Sequence, residues 1–227
     1  MNKIIACSGV SKEFLDNQAR IQILKGIDLE LHSAQTIAIV GKSGSGKTTL
    51  LQILAGLSEP TEGEVFLLKH KLTGLSDSKL AAFRNRYLGF VYQLHHLLPE
   101  FTALENVAMP LLIRGKDKIS KIKKQAAELL KLVGLEDRLD HKPQTLSGGE
   151  KQRVALVRSL ITKPACVFAD EPTGSLDLET AKKIWELMDF FKNEYKTAFL
   201  VVTHDLELAK LMDKTYLLKN AILSHFT

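Results

Sequence analysis

Five short runs of this 227-residue chain are apolar and rich in β-branched or aromatic residues: TIAIV, EVFLL, LGFVY, ACVFAD and AFLVVT. Each is strand-sized and they alternate with stretches of helical spacing, a pattern that predicts βα units around a mostly parallel sheet, hence an α/β fold class. The opening MNKIIACSG predicts a further strand, because Ile4, Ile5 and Ala6 are too few for the roughly 7–15-residue apolar region of a signal peptide. Between Thr102 and Lys163 the strand signal stops. Ile122, Ala126, Leu129, Leu130 and Val133 recur there at helical spacing until Gly134, which predicts a C-cap. The expected organisation is one domain over residues 1–227, with a helical lobe inserted at about residues 94–163.

The most apolar part of that lobe is YQLHHLLPEFTALENVAMPLL, Tyr92 to Leu112, broken by two prolines. Thr102 and Glu105 have the T-x-x-E spacing of a capping box, so a helix is expected to begin inside it. Its leucines can pack the lobe's own core or offer a face to a partner, and the sequence leaves both open. His95 and His96 are adjacent, and neighbouring side chains rarely converge on one metal, so the pair is expected to shape the surface without a metal.

Composition narrows the class. No run approaches the ~20 consecutive apolar residues that span a bilayer. The net charge of +5 is matched by one segment, RGKDKISKIKK (Arg114–Lys124), with six basic residues against one Asp. No aromatic is interleaved in it, so a solvated loop and helix start is expected, with no nucleic-acid partner. Cys7 and Cys166 are the only cysteines, too few for a disulfide framework and consistent with a reducing compartment.

GKSGSGKT, Gly41–Thr48, follows the strand TIAIV and precedes the helix-prone TTLLQILAGL. In G-x-x-x-x-G-K-[ST], glycines let backbone N–H groups curl around phosphate oxygens and the next helix presents its positive end. Lys47 is then placed to reach the terminal phosphates and Thr48 to hold Mg²⁺. ACVFADEP is a strand ending in Asp170 and Glu171: the Asp can complete the Mg²⁺ shell and the Glu can orient or deprotonate an attacking water. LSGGEKQRVALVRSL, Leu146–Leu160, opens a helix at Ser147, Gly148 and Gly149 and is a second anion-binding helix start, unless it is an ordinary serine-capped helix. One nucleotide does not need both devices from one chain. Two copies about a two-fold axis would let each offer this helix end to the other's P-loop.

The P-loop, LSGGE, ADEP, SLD and VVTHD stand in that order along nearly the whole chain, and on them the sequence resembles the ATPase subunits of ABC transporters. The resemblance implies a P-loop NTPase of ABC type, with an antiparallel β part beside the mostly parallel sheet, ATP and Mg²⁺ as cofactors, and a dimer of ATPase subunits. It assigns Gly41, Lys42, Ser43, Gly44, Ser45, Gly46, Lys47, Thr48 and Thr49 to nucleotide binding and Phe14 to stacking on adenine. Thr48, Asp170 and Gln93 fall to Mg²⁺. Catalysis falls to Glu171, His204, Gln93 and Lys47, with His204 meeting the γ-phosphate; Ser147, Gly148, Gly149, Glu150 and Asp177 act across the dimer. Three residues depart from the family's usual pattern: Lys42 inside the P-loop, Ser159 for a common Ala, and Ser175 for a common Asn.

The segment after Gln93, with RNRYLGF before it and TAFLVVTHDLELAK later, resembles in wording the ATPases of lipoprotein-releasing ABC complexes. That resemblance implies a protein peripheral to the cytoplasmic face of the inner membrane, bound to membrane subunits of LolC or LolE type. Lipoproteins and a periplasmic carrier would be indirect partners. The alternatives are an FtsE-like cell-division ABC ATPase, which shares a HHLL-type segment, and a soluble non-transport ABC ATPase, which usually carries a second cassette or a long coiled-coil insertion. An exporter with a fused membrane domain is not expected in a chain ending at Thr227.

Overall fold

The computed structural model describes residues 2–16, 19–174 and 176–226. The chain opens with a long antiparallel pair, β1 (Lys3–Asp16) and β2 (Ala19–His32), and then enters β3 (Thr36–Val40), all five residues of which are buried. Helix α1 (Lys47–Leu54) follows, then β4 (Glu62–Leu67), the short β5 (His70–Lys71), α2 (Asp77–Tyr87) and β6 (Leu88–Tyr92). Three helices come next, α3 (Ala103–Arg114), α4 (Ile119–Leu132) and α5 (Gly148–Leu160), with no strand between them. The chain returns to the sheet with β7 (Cys166–Asp170), α6 (Leu178–Tyr195), β8 (Ala198–Thr203), α7 (Leu206–Lys210) and the hairpin β9 (Lys214–Lys219) and β10 (Ile222–His225).

Two sheets result. One has six strands in the order β10-β9-β3-β8-β7-β6, parallel except for β10; the other has four antiparallel strands in the order β2-β1-β4-β5. The mostly parallel core and the antiparallel part are both present, but EVFLL belongs to the second: β4 pairs with β1, Cys7 opposite Val65, and does not join the βα units in which its sequence placed it. The reason is visible in the strand. Glu62 and Glu64 are exposed while Val65 and Leu67 are buried, the half-wet alternation of an antiparallel sheet, whereas TIAIV is buried along its length as a strand covered on both faces must be.

The period of two along the parallel strands sorts side chains into two cores. Ala198, Leu200 and Val202 of β8 join Ile37 and Ile39 of β3 in the core shared with α1 and the antiparallel sheet. Phe199 and Val201 point the other way, with Ala38 and Val40, into the core built by the helices. In that second core Ile122, Ala126 and Leu130 of α4 meet Val107 and Leu111 of α3 and Val154 and Val157 of α5, all at most 6% exposed.

Local signals place the helix ends. The Glu105 N–H donates to Thr102 Oγ1 at 3.2 Å and the Thr102 N–H to Glu105 Oε2 at 3.0 Å, closing a capping box at the start of α3. After α4 the Leu135 N–H bonds to the Leu130 carbonyl and the Gly134 N–H to that of Lys131, a Schellman ending on a left-handed glycine. Arg114–Lys124 is solvated apart from Ile122, with Arg114 tied back to Asn85. Among the described residues no helix is long and apolar enough to cross a membrane.

Gly89 sets how closely the helical part meets the sheet: a Cβ there would lie 2.3 Å from the Ser159 carbonyl oxygen of α5. The neighbour is backbone and cannot step aside without moving the helix. Gly89→Ala is therefore expected to destabilise the fold by about 1–3 kcal/mol, as overpacking does; a denaturant midpoint equal to the wild type's would contradict it.

Candidate nucleotide site

Parallel register brings four strand ends into one row. Tyr92 of β6 is opposite Asp170 of β7, Asp170 is opposite Val202 of β8, and Val40 of β3 is opposite Thr203. The residues just past these ends face one cleft of about 870 Å³, the position where open α/β sheets bind ligands. Phe14, Ser43, Gly44, Gly46, Lys47, Thr48, Thr49, Gln93, Asp170, Glu171 and His204 line it.

The loop Gly41–Thr48 leaves β3 directly. A side chain at Gly41 would strike the Leu218 carbonyl oxygen at 2.6 Å, so only glycine lets the loop turn there. Lys47 is buried, and its Nζ donates to the carbonyls of Gly41 at 2.9 Å and Lys42 at 3.1 Å; an ammonium has a third donor, free for an anion. Ser45 Oγ is buried with no hydrogen-bond partner among the described residues, an orphan polar atom in the loop itself. Lys42 is exposed at the rim.

Thr48 Oγ1 donates to Asp170 Oδ2 at 3.1 Å across the mouth of the loop. Partial burial of Asp170 pushes its carboxyl above the ordinary carboxylate range, the Thr48 bond acts against this, and the neighbouring Glu171 adds to it. No cluster of three or more His, Cys, Asp or Glu able to hold a metal occurs among the described residues. Thr48 and Asp170 are two hard oxygen donors, which suits Mg²⁺ sharing its shell with phosphates and water.

Glu171 sits just beyond β7 with φ 48°, a left-handed conformation that costs a non-glycine residue on the order of 1–3 kcal/mol. Four bonds hold it: its N–H to the Val202 carbonyl at 2.9 Å, its carbonyl accepting from the Gly174 N–H at 3.1 Å, the Thr203 hydroxyl donating to Oε2 at 3.1 Å, and His204 Nδ1 at 2.9 Å from Oε1. An ionised carboxylate only accepts, so Nδ1 carries the hydrogen; His204, with 68% of its side chain exposed, keeps Nε2 for another partner. The Gln93 amide reaches into the same corner past Gly174, where an added Cβ would lie 3.1 Å from Nε2 and 3.4 Å from the Glu171 Cβ. Phe14, 48% exposed, lies at one wall with Lys12 Nζ 5.2 Å from its ring centre.

The remaining predicted residues lie outside the cleft. Ser147 caps α5 through a second capping box with Glu150, whose carboxylate also accepts from Arg138 Nε at 2.9 Å. Those bonds hold the Glu150 carboxyl below its usual range, the Ser147 N–H being the largest cause. The first-turn N–H groups of Gly148 and Gly149 have no intrahelical acceptor, as at any helix start. Asp177 caps the neighbouring α6, accepting from the Thr180 N–H at 3.0 Å and hydroxyl at 2.7 Å. Ser159 is satisfied by donating to the Leu156 carbonyl at 2.6 Å; Ser175 lies outside the described residues.

Sequence reasoning passed over Thr203, which positions Glu171, and Ile23, Tyr92, Leu94 and His96, which help line the cleft. Thr203 had a signal in its place at the end of a buried strand, next to His204. Ile23, on the antiparallel sheet, had none.

The family model described as ABC transporter matches residues 24–174. The "Lipoprotein-releasing system ATP-binding protein LolD" of Saccharophagus degradans is 51% identical over 221 residues, 97% of this chain and 96% of that protein. The protein of the same name from Idiomarina loihiensis is 51% identical over 220 residues, with the same coverage. Among solved structures, a dimeric post-hydrolysis state of the ATP-binding cassette MJ0796 bound to ADP and Pi superposes with a TM-score of 0.90 at 36% identity, covering 99% of both chains.

Lys47→Ala removes the buried ammonium and is expected to weaken ATP binding at least about 100-fold by equilibrium titration, the scale of losing a charge-assisted contact; hydrolysis retained at the wild-type rate would remove the P-loop assignment. Thr203→Val keeps shape and takes away one of the donors on Glu171. It should lower kcat by about tenfold and leave ATP affinity within about twofold, and steady-state kinetics showing the reverse would count against the positioning role.

Proposed function

The chain belongs to the ABC transporter ATPase family, and we propose that within it the protein is the ATP-hydrolysing subunit of a membrane complex that releases lipoproteins. The observation that carries this reading is the 51% identity, over 97% of the chain, to relatives named for lipoprotein release.

The residues of the cleft divide the work. The P-loop backbone and Lys47 take the phosphates, and Phe14 offers a ring to the adenine. Thr48, Asp170 and Gln93 hold Mg²⁺, which neutralises phosphate charge when bound. Glu171, its geometry fixed by Thr203 and His204, accepts a proton from the attacking water, while the free edge of His204 faces the γ-phosphate. Ser147 already accepts from the Glu150 N–H, and its hydroxyl hydrogen stays free to donate. In the dimer this hydroxyl and the N–H groups of Gly148 and Gly149 close over the nucleotide of the second copy, with Asp177 beside them.

The apolar segment that follows Gln93 separates by exposure. Val107 and Leu111 are buried in the lobe, and Leu97, Leu104 and Leu112 pack against the same core. Leu94 (76%), Leu98 (40%) and Phe101 (37%) remain exposed and are offered to a short helix from a membrane subunit of LolC or LolE type. The helical insertion at about residues 94–163 moves with that helix, and the protein works peripherally at the cytoplasmic face of the inner membrane. Drawing a triacylated lipoprotein into water exposes about 45 methylenes at ~0.8 kcal/mol each, roughly 35 kcal/mol. Coupling energies are about 1–3 kcal/mol, so ATP binding opens a shielded path and a periplasmic carrier with an apolar cavity takes the chains.

Glu171→Gln should bind ATP, hydrolyse it at least about 100-fold more slowly, and accumulate as an ATP-dependent dimer by light scattering. Purified from its own membranes with ATP, the tagged variant is expected to carry LolC- or LolE-like subunits, and reconstituted wild-type complex to release lipoprotein in vitro. A division-type FtsX-like partner, or none, would overturn the lipoprotein assignment.

A further inference from the structure

The turn that carries Gln93 out of β6 contains two consecutive left-handed residues, His95 at φ 61° and His96 at φ 46°. Neither is glycine, and each such residue costs on the order of 1–3 kcal/mol unless its surroundings fix it. The His96 ring packs edge-on against Tyr92, and one further side chain holds both carbonyls. Arg158, on α5, donates Nη2 to the His95 carbonyl at 2.7 Å and Nη1 to the His96 carbonyl at 2.6 Å. The planar fork of a guanidinium matches two adjacent acceptors in a way a single hydroxyl or amide cannot. Its attachment point is rigid too: the next residue, Ser159, is where α5 touches Gly89 of β6. The turn is thus fixed at one end by β6, where the His95 N–H bonds to the Tyr92 carbonyl at 3.0 Å, and at the other by Arg158. Gln93 lies between the two anchors.

We propose that Arg158 is a positioning residue for Gln93: by holding the left-handed His95–His96 pair against α5, it keeps the Gln93 amide beside Glu171. The guanidinium has no place in the cleft and acts only through the turn. This rests on the catalytic role given to Gln93 above.

The test is a double-mutant cycle on the full chain with ATP and Mg²⁺, comparing wild type, Gln93→Ala, Arg158→Met and the pair. Arg158→Met is expected to lower kcat about tenfold with ATP affinity within about twofold, and to add less than about twofold on the Gln93→Ala background. Arg158→Lys, which keeps a donor without the fork, should fall between wild type and Arg158→Met; it also carries the cycle if Arg158→Met does not melt cooperatively. If Gln93→Ala is slow while Arg158→Met turns over at the wild-type rate, or the two losses multiply independently, the inference is overturned and the role of Gln93 stands. Gln93→Ala at the wild-type rate would overturn that role and this inference together.

Discussion

The hydrogen-bond ladder of the parallel strands fixes Tyr92, Asp170, Val202 and Ile39 in one row, and the chemistry depends on that row. Each strand leaves the sheet within a residue or two of it, so the P-loop, Gln93, Glu171 and His204 arrive at one cleft although 163 residues separate Gly41 from His204. A shift of one residue in β7 would turn Asp170 to the opposite face and carry Phe168 and Ala169 out of their cores. Core packing therefore enforces the register that the site needs.

Strain is stored just beyond the row. Glu171, His95 and His96 all have positive φ, and each is held by partners from elsewhere in the chain: Val202, Thr203 and His204 for Glu171, and Arg158 for the histidines. Left-handed backbone in ordinary residues persists where tertiary contacts over-determine it, and such contacts also remove rotational freedom from the side chains that must meet substrate. Pre-organisation of the cleft and strain in its backbone have the same cause.

Helix α5 joins the two halves of the mechanism. Its N-terminus presents free N–H groups away from the chain's own cleft, its C-terminal end packs against the sheet at Gly89 through Ser159, and Arg158 beside it grips the turn behind Gln93. Gln152, 1% exposed, also donates to the Pro172 carbonyl beside the Glu171 loop. In the proposed dimer, a rigid helix with one end toward the second copy and its flank bonded to the loops that carry Gln93 and Glu171 would relate dimer closure to the geometry around the nucleotide.

By itself the sequence determined the elements whose causes are local. Apolar runs marked β3, β6, β7 and β8, helical spacing marked α4, the T-x-x-E box marked the start of α3, and the P-loop spacing marked the anion loop, because each depends on neighbours within one or two turns of chain. It also ordered the motifs that meet in the cleft. It did not determine that EVFLL leaves the parallel sheet, that Thr203 holds Glu171, that Arg158 holds the His95–His96 turn, or that Leu94 is exposed while Val107 is buried. Those depend on which atoms distant in the chain come together, within about 3 Å where a hydrogen bond forms. Only the register of the sheet and the close approach of α5 at Gly89 set that distance.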